Sequence, residues 1–208
     1  MKKLLIIGAG NHAKVILSEI LKIKKYSVIG FVDDKKSKRK MLFNFKNKTY
    51  DYLGNYLNFL KNQKINKLEA ILAIGSNYSR EAMYNKIKKK FKNLKWAKII
   101  SKDAIISKDI KIGEGSVVMS GCVLNSGTTI GKHCFVNTSS SIDHDNQFQD
   151  FSSVGPGVTT GGNVSFYDSK TLHVFTDTAD FNVTSPISGA EFILIGGGGA
   201  GGYRGNGG

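Results

Sequence analysis

Two cysteines in 208 residues leave no material for a disulfide scaffold. Cys122 and Cys134 stand two faces apart at small inward positions of the repeat described below. They read as reduced core thiols, a state that suits the cytoplasm. Long apolar runs are missing as well: no stretch approaches the ~20 residues that span a bilayer, so no membrane span is expected. MKKLLIIGAG begins like a signal peptide, but its apolar run stops at Gly8 and helical spacing follows at once, so it reads as a first buried strand. Carboxylates are scarce in the first 100 residues, which hold 24 Lys or Arg against 6 Asp or Glu, whereas the other 108 hold 6 against 10. Such a basic half attracts an anionic ligand such as a nucleotide. Lys35, Lys36, Lys38, Arg39 and Lys40 form a short basic run, but Lys and Asn are abundant throughout this half. The run therefore reads as solvated, and nucleic acid is not expected as a partner. No Cys/His/Asp spacing suggests a metal site, and there is neither a GxSxG elbow nor a P-loop lysine.

What is present is a six-residue beat. Ile106, Ile112, Val118, Leu124, Ile130, Val136, Ile142, Phe148 and Val154 form an apolar series with no proline between them. Neither a helix nor a flat strand repeats at six. Three short strands per turn of a triangular prism do, with every sixth side chain in the lumen. Two places before these stand Ala104, Ile110, Ser116, Cys122, Thr128, Cys134 and Ser140, mostly small, which lets the coils close tightly.

Ahead of the repeat, Lys3 to Ile7 and Tyr26 to Val32 read as buried strands joined through a glycine turn and a helix over Ala13 to Leu21. A helix start with glycines lets a phosphate approach backbone N–H groups. A carboxylate closing the second strand, Asp33 or Asp34, is placed to accept from a ribose or base. Tyr52, Leu53, Tyr56, Leu57 and Leu60 predict a short amphipathic helix, and Leu68 to Ile74 a third strand ending at Gly75-Ser76-Asn77. Ser79 is the expected N-cap of a helix to Phe91. The fold class is therefore an α/β parallel-sheet domain followed by an all-β solenoid.

GAGNHAKVIL, GFVDD and AIGSNYSR, followed by NTSSSIDHDNQFQDFSSVGPGVTTGGNV, resemble the sialic-acid and bacillosamine type of sugar O- and N-acetyltransferases over residues 2–166. The resemblance implies a left-handed β-helix, a homotrimer, acetyl-CoA as co-substrate and a nucleotide-linked amino sugar or sialic-acid-like acceptor. It implies His144 as general base and Asp145 as the carboxylate that orients it, with Asp143 as the other acidic neighbour. It also implies an acceptor pocket at Gly8, Gly10, Asn11, His12, Asp33, Asp34, Gly75 and Asn77. Backbone N–H groups near Gly155 or Gly161 would face the thioester. His133, at a turn of the repeat, reads as structural or solvent exposed.

The family pattern ends early. Acetyltransferases of this type continue in hexapeptide coils, whereas here the series fails after Phe166. Leu172 to Phe175, Ala179 to Val183 and Ala190 to Ile195 read as strands of another kind, before a tail with nine glycines in its last thirteen residues. Three domains follow: 1–97 nucleotide-sugar binding, 98–168 β-helix, and 169–208 divergent and glycine-rich. Two functions stay open. One is a cytoplasmic sugar acetyltransferase. The other is a non-catalytic trimeric attachment protein, part of a virion, whose ending resembles glycine-rich phage tail-fibre and adhesin domains.

Overall fold

The structure, a computed structural model, describes residues 1–34 and 48–160, together with the backbone of Phe43–Phe45 and Thr171–Leu172. The basic run of residues 35–40, Gly161, Phe166, His173 and everything past Leu172 lie outside the described residues. Five parallel strands form the first sheet. They are β1 (Lys2–Ile7), β2 (Tyr26–Asp33), and, past the hairpin of β3 (Phe43–Phe45) and β4 (Lys48–Tyr50), β5 (Tyr52–Asn55), β6 (Leu68–Leu72) and β7 (Lys95–Trp96), in the order β5-β2-β1-β6-β7. β1 is central because Leu4 to Ile7 are apolar on both faces, and all four are fully buried. Helix α1 (Asn11–Ile23) packs Ala13, Ile16, Leu17 and Ile20 inward, and α3 (Asn77–Lys90) packs Met83, Tyr84 and Ile87.

Two local readings change. Residues 52–55 are strand, and the helix α2 (Tyr56–Lys61) begins only at Tyr56, because Asn55 caps it by accepting from the backbone of Leu57 and Asn58. The cap of α3 is Ser76, whose Oγ accepts from the Ser79 N–H, so Ser79 lies inside the first turn. Two serines three apart offer the same local signal, and the end of β6 at Leu72 decides between them.

From Ile99 the chain winds as a left-handed parallel β-helix. Each strand pairs with the one eighteen residues on: Ile99–Ile100, Val117–Val118, Phe135–Val136 and Ser153–Val154 stack as the first face. Ile105–Ile106, Val123–Leu124, Ser141–Ile142 and Thr159–Thr160 form the second. Lys111–Ile112, Thr129–Ile130 and Gln147–Phe148 form the third. Val118, Leu124, Ile130, Val136, Ile142, Phe148 and Val154 are buried, as are Ser116, Cys122, Thr128, Cys134 and Ser140, so both inward series face the lumen. Thr171–Leu172 pairs with Ser153–Val154. The coil spacing thus reaches Leu172, where the sequence pattern suggested strands of another kind. Thr160, buried at the next inward position, is polar, so the aliphatic series lapses before the winding does.

Every described corner from Gly115 onward holds one residue in the left-handed region. These are Gly115, Gly121, Gly127, His133, Ser139, Asp145, Phe151 and Gly157, again six apart. Four of the eight are not glycine, a conformation that costs about 1–2 kcal/mol for an ordinary L-residue. The α/β domain is seated on the first face and grips both of its corners. His12 packs on Phe135 at 4.7 Å between ring centroids. At one corner Ser120 Oγ donates to Glu19 Oε1 at 2.7 Å, and at the other Arg80 donates to the carbonyls of His133 and Phe151.

Candidate functional site

Two groups of residues are candidates for the chemistry, and they occupy different parts of the molecule. The first lines a cleft of about 970 Å³ at the carboxyl ends of β1, β2 and β6. Gly8, Gly10, Asn11, His12, Asp33, Asp34 and Gly75 all line it. Gly8 has φ +108, and a Cβ there would sit 2.8 Å from the Ala73 carbonyl oxygen, so the strand-to-helix turn requires glycine. Asp33 Oδ2 accepts from the Ala9 N–H at 2.9 Å and fastens that turn.

Asn77 is not part of the lining. It is buried, and its Oδ1 accepts from Arg80 and from Ser153 Oγ. In its place α3 contributes Tyr78, Ala82 and Lys86, one helical turn apart, with Ser79 and Met83. The sequence carries this signal, since residues four apart share a helix face, beside the apolar stripe of Met83, Tyr84 and Ile87. Tyr78 is 77% exposed at the rim. The His12 Nε2 is buried with no hydrogen-bond partner among the described residues. Burial first, and then the Arg80 cation, hold this imidazole below its usual pKa, so it is neutral near pH 7.

The second group sits on the corner between the second and third faces. His144 Nδ1 lies 2.8 Å from Asp145 Oδ2, and both side chains are open to solvent. That hydrogen bond, with the charges of Asp143 and Asp145, raises the imidazole above its usual pKa. Asp143 plays a different part from Asp145. Its Oδ1 accepts from the His144 backbone N–H at 2.8 Å and from Asn125 Nδ2 at 3.1 Å, so it holds the corner and does not touch the ring. These bonds keep its own pKa low. Beneath, the Asp143 carbonyl accepts from Thr128 Oγ1 and from Asn146 Nδ2, both at 2.9 Å, and Asn146 Nδ2 reaches the His144 carbonyl at 3.2 Å. A buried amide at an inward position therefore clamps the loop that carries the imidazole.

His133 is fully buried, among Tyr84, Trp96 and Phe151. The structural half of its reading fits and the exposed half does not, because α3 lies over that corner. Gly155 lies on a third corner, in the turn closed by Val158 N–H donating to its carbonyl, away from His144. Among the described residues no group of three or more His, Cys, Asp or Glu is arranged to hold a metal, and no helix is long and apolar enough to cross a membrane. Within one chain the cleft and His144 lie apart, since the α/β domain covers the first face and His144 stands at the vertex opposite it.

A small parallel α/β domain seated on one face of a left-handed β-helix is the fold this chain shares with solved sugar acetyltransferases. Residues 3–87 match the family model of the PglD N-terminal domain. The acetyltransferase domain of PglB from Neisseria gonorrhoeae FA1090, solved with acetyl coenzyme A, is 25% identical, with a TM-score of 0.70 over 82% of this chain and 78% of its own. WeeI from Acinetobacter baumannii AYE shares the fold at 23% identity and a TM-score of 0.66, over 79% of this chain and 74% of its own. So does PerB from Caulobacter crescentus, solved with CoA and GDP-perosamine, at 20% identity and 0.53, over 79% and 91%. No curated protein matches the sequence.

Proposed function

We propose that this protein moves an acetyl group from acetyl-CoA to an amine or hydroxyl of a nucleotide-linked sugar. The observation that carries the reading is the 2.8 Å contact between His144 Nδ1 and Asp145 Oδ2 on a solvent-open, clamped corner. That contact fixes the tautomer with the proton on Nδ1 and leaves Nε2 as base. Nε2 takes the proton of the acceptor's amine or hydroxyl as the new bond to the acetyl carbon forms. The carbon–sulfur bond breaks, and the proton passes to the leaving thiolate. Asp145 stabilises the imidazolium formed between these two transfers.

The cleft fits a nucleotide sugar on its own chemistry. Glycine turns and a helix start suit phosphate, Asp33 and Asp34 suit hydroxyls, Tyr78 offers a face for a base, and Lys86 adds a cation. Because cleft and base lie apart within one chain, the acceptor held by one copy meets His144 of another, and three copies around an axis satisfy all three sites. This supports the homotrimer that the family resemblance implies.

The test is thiol release from acetyl-CoA with UDP- and GDP-linked amino sugars, beside a His144→Ala variant and the sedimentation mass. Release that depends on both the acceptor and His144, from a trimer, is the expected result. A folded trimer that releases no thiol with any acceptor turns the reading toward the non-catalytic attachment protein.

A further inference from the structure

Arg80 is the largest completely buried side chain among the described residues, and no step above uses it. It bridges the two halves of the molecule. From the cleft side, Nη1 donates to the carbonyls of Ile74 at 2.9 Å and Gly75 at 3.1 Å, and Nη2 to Asn77 Oδ1 at 2.8 Å. From the β-helix side, Nε donates to the His133 carbonyl at 2.8 Å. Nη2 donates to the Phe151 carbonyl at 2.6 Å and Ser153 Oγ at 2.9 Å. The guanidinium carbon lies 3.9 Å from the centre of the Phe135 ring, on which the cleft's His12 also packs.

No carboxylate pairs with Arg80 among the described residues. A buried cation held only by carbonyls, hydroxyls and a ring is an expensive way to join two surfaces. Apolar residues of similar volume often join them as well or better. What the fork adds is direction: five N–H groups in one plane reach acceptors on the strand end, the helix start and two coils at once. Ile74 and Gly75 are also cleft lining, and His12 sits one ring away, so the acceptors that Arg80 gathers include the floor of the site.

We infer that Arg80 is a positioning residue for the acceptor site, setting the Ile74–Gly75 strand end and the His12 ring against the β-helix so that the cleft is preformed for a nucleotide. This rests on reading the cleft as a nucleotide site. The experiment compares wild type with Arg80→Lys and Arg80→Met in the full chain. The three measurements are UDP and GDP affinity by calorimetry, the KM for acetyl-CoA, and the pH titration of the His12 ring by NMR.

In both variants we expect nucleotide affinity to fall at least tenfold, the KM for acetyl-CoA to stay within about twofold, and the His12 midpoint to move. Arg80→Met raises that midpoint through loss of the cation alone, so the discriminating variant is Arg80→Lys, which keeps the charge: a tether that only added stability would leave its midpoint in place. A folded Arg80→Lys protein with wild-type nucleotide affinity and an unmoved His12 midpoint overturns the inference. Should wild type bind neither nucleotide, the reading of the cleft falls, and the His12 titration still decides the role of Arg80. If Arg80→Met does not fold, Asn77→Ala and Ser153→Ala, which loosen the fork and keep the charge, decide it through the same affinities. Wild-type affinity in both counts against it.

Discussion

The His133 imidazole lies parallel to the Phe151 ring, with 5.2 Å between centroids and 3° between planes. Both residues occupy left-handed corners of successive coils. Neither ring nitrogen of His133 has a hydrogen-bond partner among the described residues. Burial, with Arg80, Lys132 and Lys88 nearby, pushes its pKa down to about 3. The folded state thus holds this ring neutral, whereas the unfolded chain protonates it near pH 6.5. Stability is full above that pH and is lost as pH falls from about 6.5 toward 3, by up to roughly 4 kcal/mol at the acid end. Urea midpoints measured across this window should fall steeply in wild type and less steeply in His133→Phe. A parallel fall in both would place the acid sensitivity elsewhere.

At the proposed catalytic corner the pH dependence has the opposite origin. Asp145 holds the His144 imidazole above its usual pKa, and a general base works only when neutral. The acid limb of kcat should therefore have its midpoint above about pH 6.5, the unperturbed value for histidine. Asp145→Asn should move that limb to lower pH and reduce the plateau, while His144→Ala should lower kcat by about 10²–10⁴. Asp143→Asn offers a contrast, because Asp143 bonds the backbone and not the ring. It should cost more in melting temperature than Asp145→Asn and leave the pH limb closer to wild type.

Glycine at the neighbouring corner guards that geometry. Gly127 has φ +76, and a Cβ on it would overlap the Asp145 carboxylate oxygen. Gly127→Ala should therefore act twice, through backbone strain and through displacement of the group that orients His144. A drop of several degrees in melting temperature and a fall in kcat of roughly tenfold or more are expected. A variant that lost stability but kept kcat would show that the Asp145 position tolerates movement. The reverse substitution tests the strain alone. Ser139 is exposed at φ 58, and Ser139→Gly should relieve up to about 1 kcal/mol, raising the melting temperature by a few degrees.

The middle of the chain was legible because its constraint is local and periodic. Ile106 through Val154 had to be apolar every sixth residue to fill a lumen, and no other arrangement explains that beat. The corners were less legible. Gly115, Gly121 and Gly127 announce a left-handed turn, but His133, Ser139, Asp145 and Phe151 take the same conformation without the residue that signals it. Only the register carried over from earlier coils reveals them. The catalytic candidate came through its motif, whereas the roles of its neighbours depended on distances: Asp143 and Asp145 look equivalent in IDHD and bond different atoms. Arg80 and Asn77 were opaque because they bond residues more than 70 positions away, Phe151 and Ser153, and His133 because the rings of Tyr84 and Trp96 that bury it come from the other domain. No spacing in the sequence encodes that seam.

Nucleotide binding gives the last prediction, and Tyr78 separates recognition from folding better than Asp33 does. Asp33 accepts from the Ala9 N–H, so Asp33→Ala loosens the glycine turn even when no ligand is present. Tyr78 is exposed at the rim of the cleft, and its loss should leave the unliganded melting temperature nearly unchanged. A ligand at 100 times its Kd stabilises the native state by about 2.7 kcal/mol. In a protein of this size that raises the melting temperature by roughly 5–10 °C. Wild type with UDP or GDP should show this rise, Tyr78→Ala a smaller one at the same concentration, and Lys86→Ala a smaller one that converges with wild type in high salt. An equal rise in Tyr78→Ala would mean that the base does not stack at the rim, and the phosphates and ribose would then carry the affinity on the glycine turn and the two aspartates.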